Sequence, residues 1–243
     1  MNLMLVPEAV PGLVLARNDP RALHVRKVLG LKTGDAFDVG AENGPRGKAT
    51  ILADDATGMN LSFAWGVLPP EPLPLRLYVG LSRPQTMRKI LREAAALGVA
   101  EIGVVRCIRS EASYADSSLW TTNEWREQLV SGVEQSFSTF VPKLVHHESV
   151  AAALGSAAQA CEILMTDNYE ATAPFAGWQR FSEKPLALFV GPERGWDGPE
   201  REAARRAGAA MLHLGPRVLR TETAVTAAVM LASARMGALD RMN

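Results

Sequence analysis

Cysteine is nearly missing from this chain: Cys107 and Cys161 are the only two, far apart in sequence. Two thiols cannot build a disulfide framework or a cysteine-rich zinc site, and both lie in apolar runs where cysteine serves as core filler. Net charge is also missing, because 26 Lys+Arg balance 26 Asp+Glu. No global basic field advertises a nucleic-acid partner, so any RNA contact must come from local patches. The longest apolar run, residues 224–234, is too short to span a bilayer and is rich in alanine and threonine. The first twelve residues have neither a basic start nor a long apolar stretch, unlike a secretory signal. A cytoplasmic protein without a membrane partner is expected. No G-x-G-x-x-G follows the first strand of the second half, and no G-x-x-x-x-G-K-[ST] occurs, so a dinucleotide or ATP phosphate cradle is unsupported. A G-x-S-x-G nucleophile elbow is absent as well. His146-His147 reads as a surface loop pair without the carboxylates of a metal site, and no metal is expected.

What is present is ordinary for a globular protein: 47% hydrophobic and 21% charged residues in 243. That length allows one or two domains. The clearest punctuation is a proline-rich stretch with Pro69, Pro70, Pro72 and Pro74, which can continue neither a helix nor a central strand. It predicts a division into residues 1–72 and 73–243. In the first part, short apolar runs at 13–16, 36–39, 49–53 and 61–67 alternate with Gly34-Asp35, Asn43-Gly44 and Thr57-Gly58 turn signals. A small β-barrel with one helix over 21–29 is the simplest architecture. Arg17, Arg21, His24, Arg26, Lys27 and Lys32 gather around that helix, either as a solvated face or as an RNA contact.

The second part alternates strand and helix. Strands are expected at 75–80, 101–106, 162–166, 186–191 and 210–215. Met87, Ile90, Leu91, Ala94 and Leu97 form one helix face, as do Trp125, Leu129, Val133 and Phe137. Helices at 198–207 and 221–239 complete an α/β domain around a parallel sheet. Ligands of such sheets bind beyond the carboxyl ends of the strands. Three exits stand out: Met165-Thr166-Asp167-Asn168, VGPERGW at 190–196 and LGPRVLRTETA at 214–224. The last two place glycine at the strand exit, where the main chain can approach a ligand closely, and follow it with charge. Thr221 is expected to cap an alanine-rich helix whose free N–H groups favour an anion.

These two loops resemble the RsmE family of 16S rRNA uridine N3-methyltransferases, members of the SPOUT superfamily. The order of motifs also matches. LREAAALGVAEIGVV at 91–105 is similar to that family's helix-strand segment, EWREQLVSGVEQS at 124–136 to its tryptophan-containing helix with an E-Q-S signature, and His24 to Leu29 with Gly34-Asp35 to its PUA-like RNA-binding domain. The sequence departs from the pattern at Arg194, where the family has glycine, at Ala96, and around Ser138.

The resemblance implies a C-terminal trefoil knot, a homodimer, and S-adenosylmethionine as methyl donor. It implies 16S rRNA or the small ribosomal subunit as partner. Met165, Thr166, Val190, Gly191, Glu193, Gly195, Leu214, Gly215, Val218, Leu219 and Ala224 are then expected to hold the donor. Arg220 is expected to orient the base or stabilise its anion. Glu222 is expected to act as base or as positioner of Arg220, unless it is simply a first-turn acid favoured by the helix dipole. RNA contact is expected from Arg21, His24, Arg26, Lys27, Arg83, Arg88 and Lys89. The departures keep two other readings open: a non-catalytic RNA-binding or ribosome-assembly protein, and a methyltransferase for another RNA nucleotide.

Overall fold

The computed structural model describes residues 3–240. The chain divides into two units: the residues up to Glu71 together with Val133–Val141, and Pro72–Gly132 together with the chain from Pro142 on. A single cut at residue 72 therefore misses one returning segment. Hydrogen bonds explain its membership. Leu3 N donates to Glu134 O at 3.2 Å, and Leu5 N to Glu134 Oε1 at 2.9 Å. Asn43 N donates to Thr139 O at 2.8 Å, and Thr139 Oγ1 to Gly44 O at 2.7 Å. The segment supplies acceptors and donors that a short strand and a tight turn cannot find locally. The glutamate of the E-Q-S signature thus has a structural task, and its burial pushes the carboxyl above its ordinary range.

The first unit is a five-stranded sheet. Its strands are β1 (Met4–Val6), β2 (Gly12–Leu15), β3 (Ala36–Ala41), β4 (Arg46–Asp54) and β5 (Met59–Trp65), in the order β1-β3-β4-β5-β2. Strand β1, too short for its pattern to be read from sequence, pairs parallel with β3; the other pairs are antiparallel. Alternate residues Phe37 and Val39, Ala49 and Ile51, and Met59 and Leu61 form the core, as a pleat with one covered face requires. Helix α1 (Pro20–His24) opens with Pro20 at its first position, and the Asp19 side chain accepts from Arg21 N at 2.8 Å. It runs into a π-helical turn, Val25–Leu29, that Gly30 ends at φ 68°.

The second unit is a seven-stranded parallel sheet. Strands β6 (Leu73–Gly80), β7 (Val99–Val105), β8 (Lys143–His147), β9 (Glu162–Thr166), β10 (Ala173–Pro174), β11 (Leu186–Val190) and β12 (Ala210–His213) lie in the order β10-β12-β9-β11-β6-β7-β8. β11 is buried along its whole length, which is why it reads as an unbroken apolar run rather than an alternation. Two strands depart from expectation. His146 and His147, read as loop, end the edge strand β8, whose lysine and histidines hide its strand character. β10 spans only two residues.

The helices are α2 (Pro84–Ala96), α3 (Ser118–Thr121), α4 (Glu124–Gln135), α5 (Val150–Ala158), α6 (Gly198–Arg206) and α7 (Thr221–Arg235). α5 and α6 share a core with Tyr78, Met165, Phe189 and Trp196, in which the Tyr78 and Phe189 rings stack 4.5 Å apart. α2 packs on α7, and each buries an apolar face, Met87, Ile90, Leu91 and Ala94 on one and Val225, Ala228, Val229 and Ala232 on the other. Thr221 is not the cap of α7: the helix starts at Thr221, which is buried, and Arg220 occupies the cap position without a side-chain bond. Among the described residues no helix is long and apolar enough to cross a membrane.

Candidate functional site

In the parallel sheet β12, β9 and β11 are neighbours, so their carboxyl ends emerge side by side. A crevice opens there. After β9 it is walled by Thr166, Asp167, Asn168 and Tyr169; after β11 by Val190, Gly191, Pro192, Glu193, Gly195 and Trp196; after β12 by Leu214, Val218, Leu219, Thr221 and Ala224. Nine of the eleven residues expected to hold a cofactor are among them: Thr166, Val190, Gly191, Glu193, Gly195, Leu214, Val218, Leu219 and Ala224. Met165 and Gly215 are not. Successive strand residues face opposite sides of a sheet, so while Thr166 reaches the crevice, Met165 is fully buried in the core. Gly215 turns the chain at φ 107°, and its N–H donates to His213 Nδ1 at 3.2 Å.

The crevice walls are held by a built frame. Asp167, 5% exposed, accepts at Oδ1 from Tyr169 N and Glu170 N, at 2.5 and 2.8 Å, and at Oδ2 from Arg201 Nε at 2.6 Å. Arg201 lies under the Tyr169 ring, 5.4 Å from its centroid. Trp196 donates Nε1–H to Thr166 O at 2.8 Å and backs Gly191, where a Cβ would come within 3.3 Å of its ring. A Cβ on Gly80 would lie 2.4 Å from the Pro192 ring, so only glycine lets the β11 loop sit over the end of β6. Glu193 Oε1 accepts from Arg83 N at 2.9 Å. Arg109 donates to Arg194 O at 3.3 Å and to Asp197 Oδ1 at 2.8 Å. Asp167, Tyr169, Trp196 and Arg109 were not among the expected site residues. Asp167 and Trp196 lie in strand exits that the sequence marks, but their tasks, like those of Arg109 and Arg201, depend on contacts distant in sequence.

The crevice suits a nucleoside-like ligand. Its flanks are apolar at Val190, Leu214, Val218, Leu219 and Ala224. Among the described residues no main-chain N–H from Arg217 to Arg220 donates to another protein group. Free main-chain donors beside an apolar slot can read the polar edge of a flat ring. Among the described residues no cluster of three or more His, Cys, Asp or Glu could hold a metal ion.

Arg220 and Glu222 diverge. Arg220 is exposed, and no hydrogen bond or ion pair engages its guanidinium among the described residues. Glu222 does not line the crevice; its carboxylate meets Lys89 Nζ at 3.2 Å. A bond from its own main-chain N–H and the ion pair with Lys89 hold its carboxyl below the ordinary range, which makes it a weak proton acceptor.

Most of the expected RNA contacts are already engaged. Arg21 pairs with Asp19 at 2.8 Å, Arg26 with Asp54 at 2.5 Å, Arg88 with Glu124 at 2.5 Å, and Lys89 with Glu222. His24 has a buried Nε2 without a partner among the described residues, and burial lowers its pKa. Arg83 donates to the Tyr114 hydroxyl at 3.3 Å. Of the seven, Lys27 is exposed and, among the described residues, its side chain forms no hydrogen bond or ion pair.

Residues 69–233 match the family model described as an RNA methyltransferase domain. The chain belongs to that class of proteins. The Treponema pallidum protein "Ribosomal RNA small subunit methyltransferase E" is 35% identical over 96% of this chain and 92% of its own length. That of Borreliella burgdorferi, "Ribosomal RNA small subunit methyltransferase E 1", is 28% identical over 97% and 99%. Among solved structures, ribosomal RNA small subunit methyltransferase E from Neisseria gonorrhoeae, bound to S-adenosyl methionine, superposes with a TM-score of 0.81. It is 25% identical, covering 96% of this chain and 97% of that one. Within the class, the chain is a member of the ribosomal RNA small subunit methyltransferase E family.

Proposed function

We propose that this protein methylates N3 of a uridine in 16S rRNA of the small ribosomal subunit, with S-adenosylmethionine as donor. The observation that carries the reading is the crevice itself. The two loops that carry the family resemblance, at 190–196 and 214–224, wall one crevice that joins apolar side chains to free main-chain donors. The donor, when bound, supplies an activated methyl group. Val190, Leu214, Val218, Leu219 and Ala224 would flank its adenosine, and the Arg217–Arg220 main chain would meet its polar edges. The frame around Asp167 and Trp196 fixes those walls before the substrate arrives, so little ordering is left for the reaction itself.

The uridine must lose its N3 proton, and negative charge then spreads to the flanking carbonyl oxygens. Arg220, free and at the start of α7, stabilises that charge. Glu222, committed to Lys89, positions the first turn of α7, and the proton leaves to solvent. The five-stranded unit is the PUA-like RNA-binding part, and the α/β unit with its C-terminal crossing (β9 to the edge, back to the centre at β11, then out to β12) is the knotted SPOUT part. The protein acts in the cytoplasm as a homodimer, to which the small-residue surface of α7 is suited.

Arg220→Ala tests the assignment: S-adenosylmethionine affinity by calorimetry stays within about twofold, and methyl transfer to 16S rRNA falls by about 10²–10³. Wild-type transfer by the variant overturns the role of Arg220. Nucleoside mass spectrometry of rRNA from cells lacking the protein should show loss of one N3-methyluridine; loss of a different modified nucleotide would redirect the substrate.

A further inference from the structure

Two of the three loops at the crevice, 191–197 and 214–224, carry three acids and three arginines: Glu193, Asp197 and Glu222, and Arg194, Arg217 and Arg220. The acids are spent. Glu193 accepts from the main chain of Arg83, Asp197 pairs with Arg109, and Glu222 pairs with Lys89. Asp167, the remaining acid on the crevice wall, pairs with Arg201. The charge of Arg220 lies near enough to help hold the Glu222 carboxyl low, but none of the three arginines is bonded to these acids. Each is exposed, and among the described residues none has a side-chain hydrogen bond or ion pair. Arg194 offers only its main-chain oxygen, to Arg109. The loops therefore present unneutralised guanidinium groups beside the crevice: Arg194 between the lining residues Glu193 and Gly195, Arg217 next to Val218.

We propose that Arg194 and Arg217 are phosphate contacts that seat the RNA backbone on either side of the reacting nucleotide. This rests on the reading that RNA is the substrate. Guanidinium groups present a fork that matches phosphate oxygens. Long flexible side chains left without a partner are free to reach a polyanion that runs past the opening. A cofactor carboxylate is the other anion that could meet them. It is a single charge, whereas the unpaired cations lie on two separate loops, as an extended backbone requires. The Arg109 and Arg83 struts serve this arrangement by holding the 190–197 loop, and so Arg194, in place.

The experiment measures binding of a 16S rRNA fragment containing the methylation site against salt concentration, beside S-adenosylmethionine calorimetry on the same preparations. Arg194→Ala and Arg217→Ala should each weaken RNA binding severalfold near 0.1 M salt and reduce the slope of log K against log salt by about one. The reversals Arg194→Glu and Arg217→Glu should weaken it by more than tenfold. S-adenosylmethionine affinity should be unchanged, which also certifies the fold. RNA affinity and slope at wild-type values overturn the proposal while leaving the methyltransferase reading intact. A loss of S-adenosylmethionine affinity with unchanged RNA binding also overturns it, by assigning the arginines to the cofactor. Failure of the wild-type protein to bind S-adenosylmethionine at all would instead remove the functional reading beneath it.

Discussion

Two stretches of this chain place arginines close together in sequence and are opposites in structure. Around α1, Arg21 and Arg26 each donate a fork of hydrogen bonds to an aspartate. At the crevice, Arg194, Arg217 and Arg220 stand free while the acids beside them serve as struts. A count of charges along a segment cannot tell these cases apart, because the deciding partner is often remote. Asp54 is 28 positions from Arg26, Glu124 is 36 from Arg88, and Glu222 is 133 from Lys89. What makes an arginine available to a phosphate is that every nearby carboxylate has been claimed by something else.

Breaking a pair should therefore cost stability according to its burial, and cost RNA binding little. The largest effect is expected at Arg201. Its side chain is 6% exposed and that of Asp167 only 1%. Arg201→Ala leaves a buried carboxylate that still accepts two main-chain bonds but has lost its cation. A stability loss of about 3–5 kcal/mol is expected from denaturant midpoints. S-adenosylmethionine affinity should fall with it, since Tyr169 loses the group beneath its ring. Arg201→Lys should recover only part, because an ammonium cannot repeat the guanidinium geometry. A variant as stable as wild type would show that the Asp167 loop is held by its main-chain bonds alone.

How much of this was readable beforehand follows from the same distinction between local and remote causes. Strand β11 was legible because its apolar run is unbroken and bounded by Pro185 and Gly191, and β9 because Ile163, Leu164 and Met165 run apolar up to the polar exit at Thr166-Asp167-Asn168. The crevice was legible because Gly191 and Gly215 stand at the exits of β11 and β12, the two strands that flank β9. Met165 was placed in it through its neighbour Thr166, and the pleat turns it the other way. β8 was illegible because an edge strand needs no apolar face on both sides, and His146-His147 look like loop. The return of Val133–Val141 to the first unit depends on Glu134 and Thr139 meeting residues almost a hundred or more positions away. No local pattern announces that.

A smaller effect is expected where a pair is partly exposed. The hydrogen bonds from Arg26 hold Asp54 below the ordinary carboxylate range. A depressed folded-state pKa contributes stability that is fully present above the ordinary value near 4 and is lost as pH falls through the depressed one. Arg26→Ala should thus cost about 1 kcal/mol at neutral pH and flatten the acid limb of a plot of Tm against pH. RNA affinity should move less than twofold. If Arg26→Ala instead lowers RNA affinity and the salt slope as much as Arg194→Ala does, the contrast between paired and free arginines is wrong, and α1 joins the binding surface.

The smallest effect separates two roles for one carboxylate. If Glu222 takes the N3 proton, Glu222→Gln removes the group that must be ionised for turnover. The rate then falls by 10² or more, and its acid limb disappears from the pH profile. If Glu222 positions α7 through Lys89, glutamine keeps most of the geometry and gives up only an ion pair with a half-exposed lysine. Methyl transfer should then fall less than about threefold, with the shape of the pH profile unchanged, and Lys89→Ala should reproduce that small loss. The carboxyl held low by Lys89 and by its own main chain favours the second outcome, because a group already content as an anion has little affinity for the proton that N3 must give up.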